Sequence, residues 1–435
     1  MFTLCTLYVA QGIPWGFTAI TIPTYLANKG MDAGAIGAAL AMTTLPYSFK
    51  WMWGPVIDAF TLPRFGRRRP WIIFAQGMMA LTILVMILVP DLTIDLKVLA
   101  WMILIHTVFN SLQDVAVDAL AVDLLEDSER GRANGFMYAS KYFGGMIGGG
   151  GMSWVIARAS LDAALIFQTV ILLAIMVVPL LVRETDRPLE VRPKFADVVR
   201  GLVDVFSVRS ALVMALLMLT INVALGVLTA NSFVLYTQQL HWSPEKYTGL
   251  IGALGLAAGL GGSVIGGLLA DLLGRKRLAA MASIGMAAGW LVFGKLTDYW
   301  GSDAFIYPMA IFEVLCTSIL TVTLFALCMD VSWPAIGASQ FTAYMAFANF
   351  SNTVGFRLAA SINEHFDYAS CYVAAAVFQV AVTAWLLALD PSQTARELPR
   401  PEGQSLPRRG LLAVILLGLT LAGLTLYVVK PILFD

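Results

Sequence analysis

Charge is scarce in this chain. Charged residues make up 13% of 435 positions and hydrophobic residues 59%. A soluble domain carries about 25% charged residues, so the composition excludes a soluble or disordered chain and leaves one that uses lipid as solvent. Cysteine is rare as well. Cys5, Cys316, Cys328 and Cys371 stand singly, without metal-ligand spacing, and read as small packing residues. The three histidines, His106, His241 and His365, are scattered and supply neither a nucleophile–base pair nor a metal set. No enzyme is expected. Net charge is zero, and nothing points to nucleic acid as a partner. The glycine runs lack a following Gly-Lys-Ser/Thr, which excludes a phosphate loop. No metal and no cofactor is expected.

Long apolar segments are abundant. A hydrocarbon core of ~30 Å takes ~20 apolar residues to cross. Thirteen segments qualify, at about 2–27, 34–60, 71–90, 97–124, 131–157, 163–182, 210–238, 246–272, 278–296, 304–329, 334–362, 369–389 and 411–429. The first lacks a basic n-region and a clean small-residue cleavage site, so it reads as a retained helix. With the N-terminus inside, the inner loops hold nineteen Lys/Arg and the outer loops and tail six. The positive-inside rule then puts the N-terminus in the cytoplasm and the C-terminus, after an odd number of spans, in the periplasm.

A short pattern occurs twice. Gly267-Leu-Leu-Ala-Asp271-Leu-Leu-Gly274-Arg275-Lys276-Arg277 matches Gly54-Pro-Val-Ile-Asp58, five extra residues, then Gly66-Arg67-Arg68-Arg69. Tyr25 to Gly37 aligns loosely with Tyr236 to Gly249. A parallel duplication of six helices fits this spacing. The expected domains are a bundle over 1–182, a linker over 183–209, a second bundle over 210–389, and a linker with one extra membrane helix over 390–435. In the first linker Phe195, Val198, Val199, Leu202, Val203 and Phe206 share one helical face, which predicts a short amphipathic helix on the membrane surface. The repeated loops are expected to gate. Gly54, Asp58, Arg67, Arg68, Gly267, Asp271, Gly274, Arg275 and Arg277 would make contacts only while the inner side is closed.

An ionisable group inside a bilayer costs at least ~2.5 kcal/mol, so each needs a reason. On the fourth segment His106, Asn110, Gln113, Asp114 and Asp118 form one polar stripe. Lys50 on the second segment and Lys141 on the fifth, with Tyr138 and Tyr142 on the latter's face, share the depth of the two aspartates. Two readings stand side by side: a structural ion-pair cluster, or a proton or substrate site. In the second half Glu313 lies near mid-membrane, with Thr317 and Thr321 on its face. It is either a proton site or a partner for Arg357. Asn222 recurs with Thr229 and Tyr236 every seven residues. Gln11 and Trp15, among Gly12, Pro14 and Gly16, either contact a solute or pack as a wedge. Gly144, Gly145 and Gly148 to Gly151 predict close helix approach, as do Gly255, Gly259, Gly262 and Gly266.

The repeated loops carry the signature of the major facilitator superfamily. Gln11-Gly-Ile-Pro14, Pro46-Tyr-Ser-Phe-Lys50-Trp-Met-Trp-Gly54-Pro-Val-Ile-Asp58, Gly66-Arg-Arg-Arg-Pro-Trp71 and Gln113-Asp114-Val-Ala-Val-Asp118-Ala resemble its AmpG muropeptide permease and acetyl-CoA transporter branch. The resemblance covers most of residues 8–150. It implies an all-α integral membrane protein with two six-helix bundles, here plus one extra C-terminal transmembrane helix. It also implies that Lys50, Asp114 and Asp118 line a transport path. The expectation is a monomeric, proton-coupled secondary transporter in a bacterial inner membrane. It would import a muropeptide-like or other anionic solute by alternating access, with no cofactor. Acetyl-CoA, acyl-CoA and siderophores are the alternative substrates, and a non-transporting receptor on the same scaffold is the alternative class.

Overall fold

A computed structural model describes residues 2–53, 57, 66, 68–89, 96–124, 130–181, 195–333, 336–398 and 407–433. These residues are helical almost throughout and fall into two compact units. One comprises Met1–Pro188 and Ala230–Leu260, the other Leu189–Thr229 and Gly261–Asp435. In the first unit lie α1 (Phe2–Gly16), α2 (Ile22–Asn28), α3 (Ala33–Ser48), α4 (Arg69–Ile87), α5 (Leu96–Leu124), α6 (Arg130–Met146), α7 (Met152–Arg158) and α8 (Leu161–Leu181). The second unit opens with α9 (Phe195–Val205), where the linker's amphipathic pattern predicts a helix, and α10 (Arg209–Thr220). The chain continues through α11 (Val223–Val234), α12 (Pro244–Thr248) and α13 (Leu256–Leu273). Then come α14 (Arg275–Lys295), α15 (Asp303–Val331), α16 (Gly337–Asn363), α17 (Tyr368–Thr383), α18 (Trp385–Ala388), α19 (Gln393–Glu397) and α20 (Arg408–Leu433).

Among the described residues nine helical runs are long and apolar enough to cross a membrane. Their outer faces are apolar too. On α8, Ile166, Phe167, Val170, Val177 and Leu180 are each about half exposed. A soluble protein does not leave so large an apolar stripe open to water. The molecule is an integral membrane protein.

The first unit is drawn together by a seam between α1 and α6. A methyl added at Gly12 would lie 2.1 Å from the Lys141 carbonyl oxygen, one at Gly144 2.4 Å from that of Val9, and one at Gly148 1.9 Å from that of Ile13. No side chain fits there, so the two backbones touch, as small residues permit in membranes. The helices widen where they cross. Phe17–Thr21, Ile147–Gly151, Leu235–Gln239 and Gly249–Gly255 are π-helical turns, and all lie in this unit. A widened turn leaves carbonyls under-satisfied. The Thr21 hydroxyl answers two of them, donating at 2.8 Å to Gly148 O and Gly149 O.

The same seam fixes the height of Lys141 on α6 against α1, and hence its reach toward α5. Gly148→Val should force the backbones apart at a cost of about 1–3 kcal/mol or more. Gly261→Ala, where an added methyl meets nothing within 4 Å, should be neutral. Thermal unfolding of the two purified variants in one detergent checks this. Equal melting temperatures would remove the seam from the account.

Candidate functional site

The polar residues of the first unit converge from α1, α3, α5 and α6. The twenty-nine residues of α5 contain no proline or glycine, so its polar positions hold their helical phase. His106, Asn110, Gln113 and Asp114 are all buried, and Asp118 is half-buried. Lys50 arrives differently from a plain helical reading. α3 ends at Ser48, two residues after Pro46, and Lys50–Met52 form a 3₁₀ turn. This tighter turn carries the Lys50 side chain to α5.

Asp114 is the hub. Lys50 Nζ lies 3.3 Å from its Oδ2, and Lys141 Nζ lies 3.3 Å from its Oδ1. Each oxygen therefore takes one ammonium. The Asp114 and Lys50 side chains are nearly closed off, while that of Lys141 is 27% exposed. Asp118, one turn along α5, does not join an ion pair among the described residues. It accepts a short hydrogen bond of 2.5 Å from the Tyr8 hydroxyl. The Tyr8 ring stands edge-on to Tyr138 at 6.1 Å. The two lysines and two aspartates thus form one cluster of formal charge zero, divided into a bridged carboxylate and one held by a neutral hydroxyl.

Around the cluster many polar groups lack partners. Both amide atoms of Gln11 and Gln113 are buried without a hydrogen bond, as are Asn110 Oδ1, His106 Nε2 and the Tyr47 hydroxyl. The other His106 nitrogen, Nδ1, meets the Thr82 hydroxyl at 2.8 Å. Such orphan groups cost free energy unless water or a solute meets them. Trp15 is half-buried with its ring over Gly145, where an added methyl would lie 3.1 Å from it. Tyr142 is half-buried on α6.

In the second unit the sequence candidates are not brought together. Glu313 is half-buried on α15 and Thr317 donates to Met286 Sδ at 3.3 Å. Arg357 is directed elsewhere, its guanidinium 5.9 Å from the Tyr427 ring on α20. Among the described residues no ion pair joins Glu313 to Arg357. Asn222 sits where the seventh segment breaks between α10 and α11. Its backbone N–H donates to Ser351 Oγ at 3.0 Å and its amide to Ala348 O at 3.3 Å, which ties the break to α16.

Of the repeated loops, Gly54, Asp58, Arg67 and the Asp271 side chain lie outside the described residues. Gly66 and Gly274 both take positive φ, 94° and 85°, a conformation that favours glycine at a sharp turn. A methyl added at Gly267 would meet nothing within 4 Å. Arg68 is buried, Arg277 is exposed, and Arg275 pairs with Asp330 at the end of α15. The two loops share a further interaction that the pattern does not announce. Arg69 donates to Pro179 O at 2.7 Å and Leu180 O at 2.8 Å. Lys276 Nζ donates to Leu389 O at 2.8 Å. Arg69 thus caps the carbonyl end of α8, where the helix dipole favours a cation, and Lys276 meets the carbonyl of the residue that follows α18.

One feature joins the two halves of the sequence within the first unit. The Gln238 amide donates to Ala27 O at 3.1 Å and to Met31 O at 2.7 Å, and Arg158 pairs with Glu245 at 3.3 Å. An added methyl on Gly252 would lie 2.9 Å from Gly150 N. The segment 230–260 is thereby clasped onto the ends of α2 and α7. Sequence reasoning missed Tyr8 and this clasp. Tyr8 lies one helical turn before Gln11, so the face was already marked; the carbonyls that Gln238 contacts leave no side-chain signal.

Asp114→Asn removes the one carboxylate that, among the described residues, is shared by two lysine ammonium groups. It should cost about 3–5 kcal/mol, the range for breaking a buried ion pair. Asp118→Asn keeps an acceptor for Tyr8 and should cost less. Thermal unfolding of both variants in one detergent decides, and equal losses would refute the division of the cluster.

The Major Facilitator Superfamily profile matches residues 4–345. The anhydromuropeptide permease of Escherichia coli (strain K12) is 26% identical over 359 residues, covering 79% of this chain and 70% of that one. The putative transporter AmpG 4 of Rickettsia conorii is 23% identical over 281 residues, covering 62% and 67%. A crystal structure of a D-xylose-proton symporter superposes with a TM-score of 0.69 at 15% identity, covering 90% of this chain and 99% of that one. The xylose transporter XylE from E. coli, in an inward-open conformation, gives 0.69 at 15%, covering 94% and 99%. At that identity both speak to the fold alone.

Proposed function

The chain belongs to the Major Facilitator Superfamily, and from this premise we propose that it is a proton-coupled importer of an anionic organic solute, of muropeptide type, in a bacterial inner membrane. The observation that carries the proposal is the single Asp114 carboxylate shared by Lys50 and Lys141. A carboxylate that bridges two cations is a natural exchange point. Protonating it releases two ammonium groups toward an incoming anion, and deprotonating it withdraws them. Asp118, tied to Tyr8, offers a second acceptor one turn away. The orphan amides of Gln11 and Gln113 supply polar contacts for a solute rich in hydroxyl and amide groups. The likeness to the anhydromuropeptide permease supports the substrate class.

The cycle is read as alternating access with the N-terminus cytoplasmic and the C-terminus periplasmic. In that orientation the clasp of Gln238 on Ala27 and Met31 lies on the periplasmic side and is shut here. Arg158 and Glu245 are both about half exposed, and such pairs contribute about 0–1 kcal/mol. The ion pair therefore adds little to the cost of opening the clasp. The protein works as a monomer, with its solute and protons as partners.

Proteoliposomes test this reading. With an imposed proton gradient, acid outside, the wild type should concentrate anhydromuropeptide. Asp114→Asn or Asp118→Asn should exchange it without concentrating it. Accumulation by both variants at the wild-type level would place coupling elsewhere, with Glu313 the next candidate. Affinity for the anionic solute should rise as pH falls from about 8 to about 6, and Lys50→Gln or Lys141→Gln should flatten that dependence. If acyl-CoAs or siderophores stabilise the protein against heat and anhydromuropeptides do not, the substrate class is wrong while the coupling scheme stands.

A further inference from the structure

The extra helix α20 and the helix that carries Arg357 start at one place. An added methyl on Gly201 of α9 would lie 2.7 Å from Ile336 Cγ2, next to the start of α16. An added methyl on Gly410 of α20 would lie 1.9 Å from the Val203 carbonyl oxygen, also on α9. The first turns of α16 and α20 therefore both rest on α9, whose amphipathic pattern places it in the plane of one membrane interface. Arg357 stands twenty-one residues beyond Ile336, roughly 31 Å along the helix, and Tyr427 seventeen beyond Gly410, roughly 26 Å. The hydrocarbon core is about 30 Å thick. Arg357 thus reaches the opposite headgroup layer, as does Lys430, twenty residues or roughly 30 Å beyond Gly410, and Tyr427 lies one turn beneath it.

There they meet. The Arg357 guanidinium is 5.9 Å from the Tyr427 ring centroid, at the outer limit of a cation–π contact. Its Nε is buried and donates to nothing. Lys430, exposed, follows Tyr427 by one turn. Glu364 lies two turns past Arg357 and makes no ion pair with it among the described residues. Two cations at headgroup level, one with an unused N–H, and a tyrosine one turn beneath them are what a phosphate diester asks for. The guanidinium fork matches two phosphate oxygens, the ammonium adds a point charge, and the tyrosine tolerates both water and hydrocarbon. Below them α20 is open along its length, with Leu412, Leu416, Leu419 and Leu426 each more than half exposed. Acyl chains fit that face.

We propose that Arg357, Tyr427 and Lys430 form a binding site for the phosphate of an anionic phospholipid, in the leaflet opposite α9. The site is independent of what the protein transports. Native mass spectrometry of the full chain in detergent tests it, with phosphatidylglycerol, phosphatidylcholine and inorganic phosphate as probes. Wild type should retain phosphatidylglycerol where it does not retain phosphatidylcholine. Arg357→Gln should lower retention about tenfold, Lys430→Gln by less, and Arg357→Lys by an intermediate amount because it keeps charge without the fork. If Arg357→Gln fails to fold, Arg357→Lys and Tyr427→Leu carry the test. Equal retention of the two lipids, or wild-type retention by the folded Arg357 variants, would overturn the proposal. Displacement of the lipid by inorganic phosphate alone would assign the site to a free anion and overturn it equally.

Discussion

The first unit depends on one shared carboxylate. Lys50 comes from a 3₁₀ turn after α3, Lys141 from α6, and both end on Asp114 of α5. Without it two ammonium groups would stand in a low-dielectric interior, and without them a carboxylate would. Each alone is costly; bridged, they sum with Asp118 to zero charge. The same arrangement gives the site its chemistry. A buried cluster at exact charge balance is disturbed by one proton or one anion, and each disturbance favours the other.

That balance needs the helices held at fixed heights. The α1–α6 seam does this with backbone contact at Gly12, Gly144 and Gly148. It also brings Tyr8 of α1 to Asp118. At the far ends of the bundles the two basic loops act as caps, Arg69 on the end of α8 and Lys276 on Leu389. The internal duplication is thus visible as one kind of interaction made twice, each time onto backbone carbonyls.

Much of this was legible in the sequence. The stripe on α5 follows from helical period alone, because nothing in that helix interrupts it. The common depth of Lys50, Lys141 and Asp114 follows from counting along three helices. What counting gives is height and not direction. The direction in which Arg357 points depends on where α20 packs, and it faces Tyr427 and not Glu313. Asn222 fell into a seven-residue recurrence, but the helix breaks beside it and its amide is spent on Ala348 O. The glycine runs predicted close approach; the widened turns within them depend on hydrogen-bond choices that a run of small residues does not specify. The caps by Arg69 and Lys276 escaped for a similar reason, since any backbone carbonyl can accept.

The central claim is that solute and proton meet at the Asp114 cluster. Its most direct test is the proton count on binding. Anhydromuropeptide is added to the purified protein in weakly buffered solution near pH 7, and the change in pH is read, as the linkage between anion binding and carboxylate protonation requires. The account predicts net proton uptake by the wild type and none by Asp114→Asn. Binding without proton uptake in the wild type, or uptake that persists in both Asp114→Asn and Asp118→Asn, would contradict it.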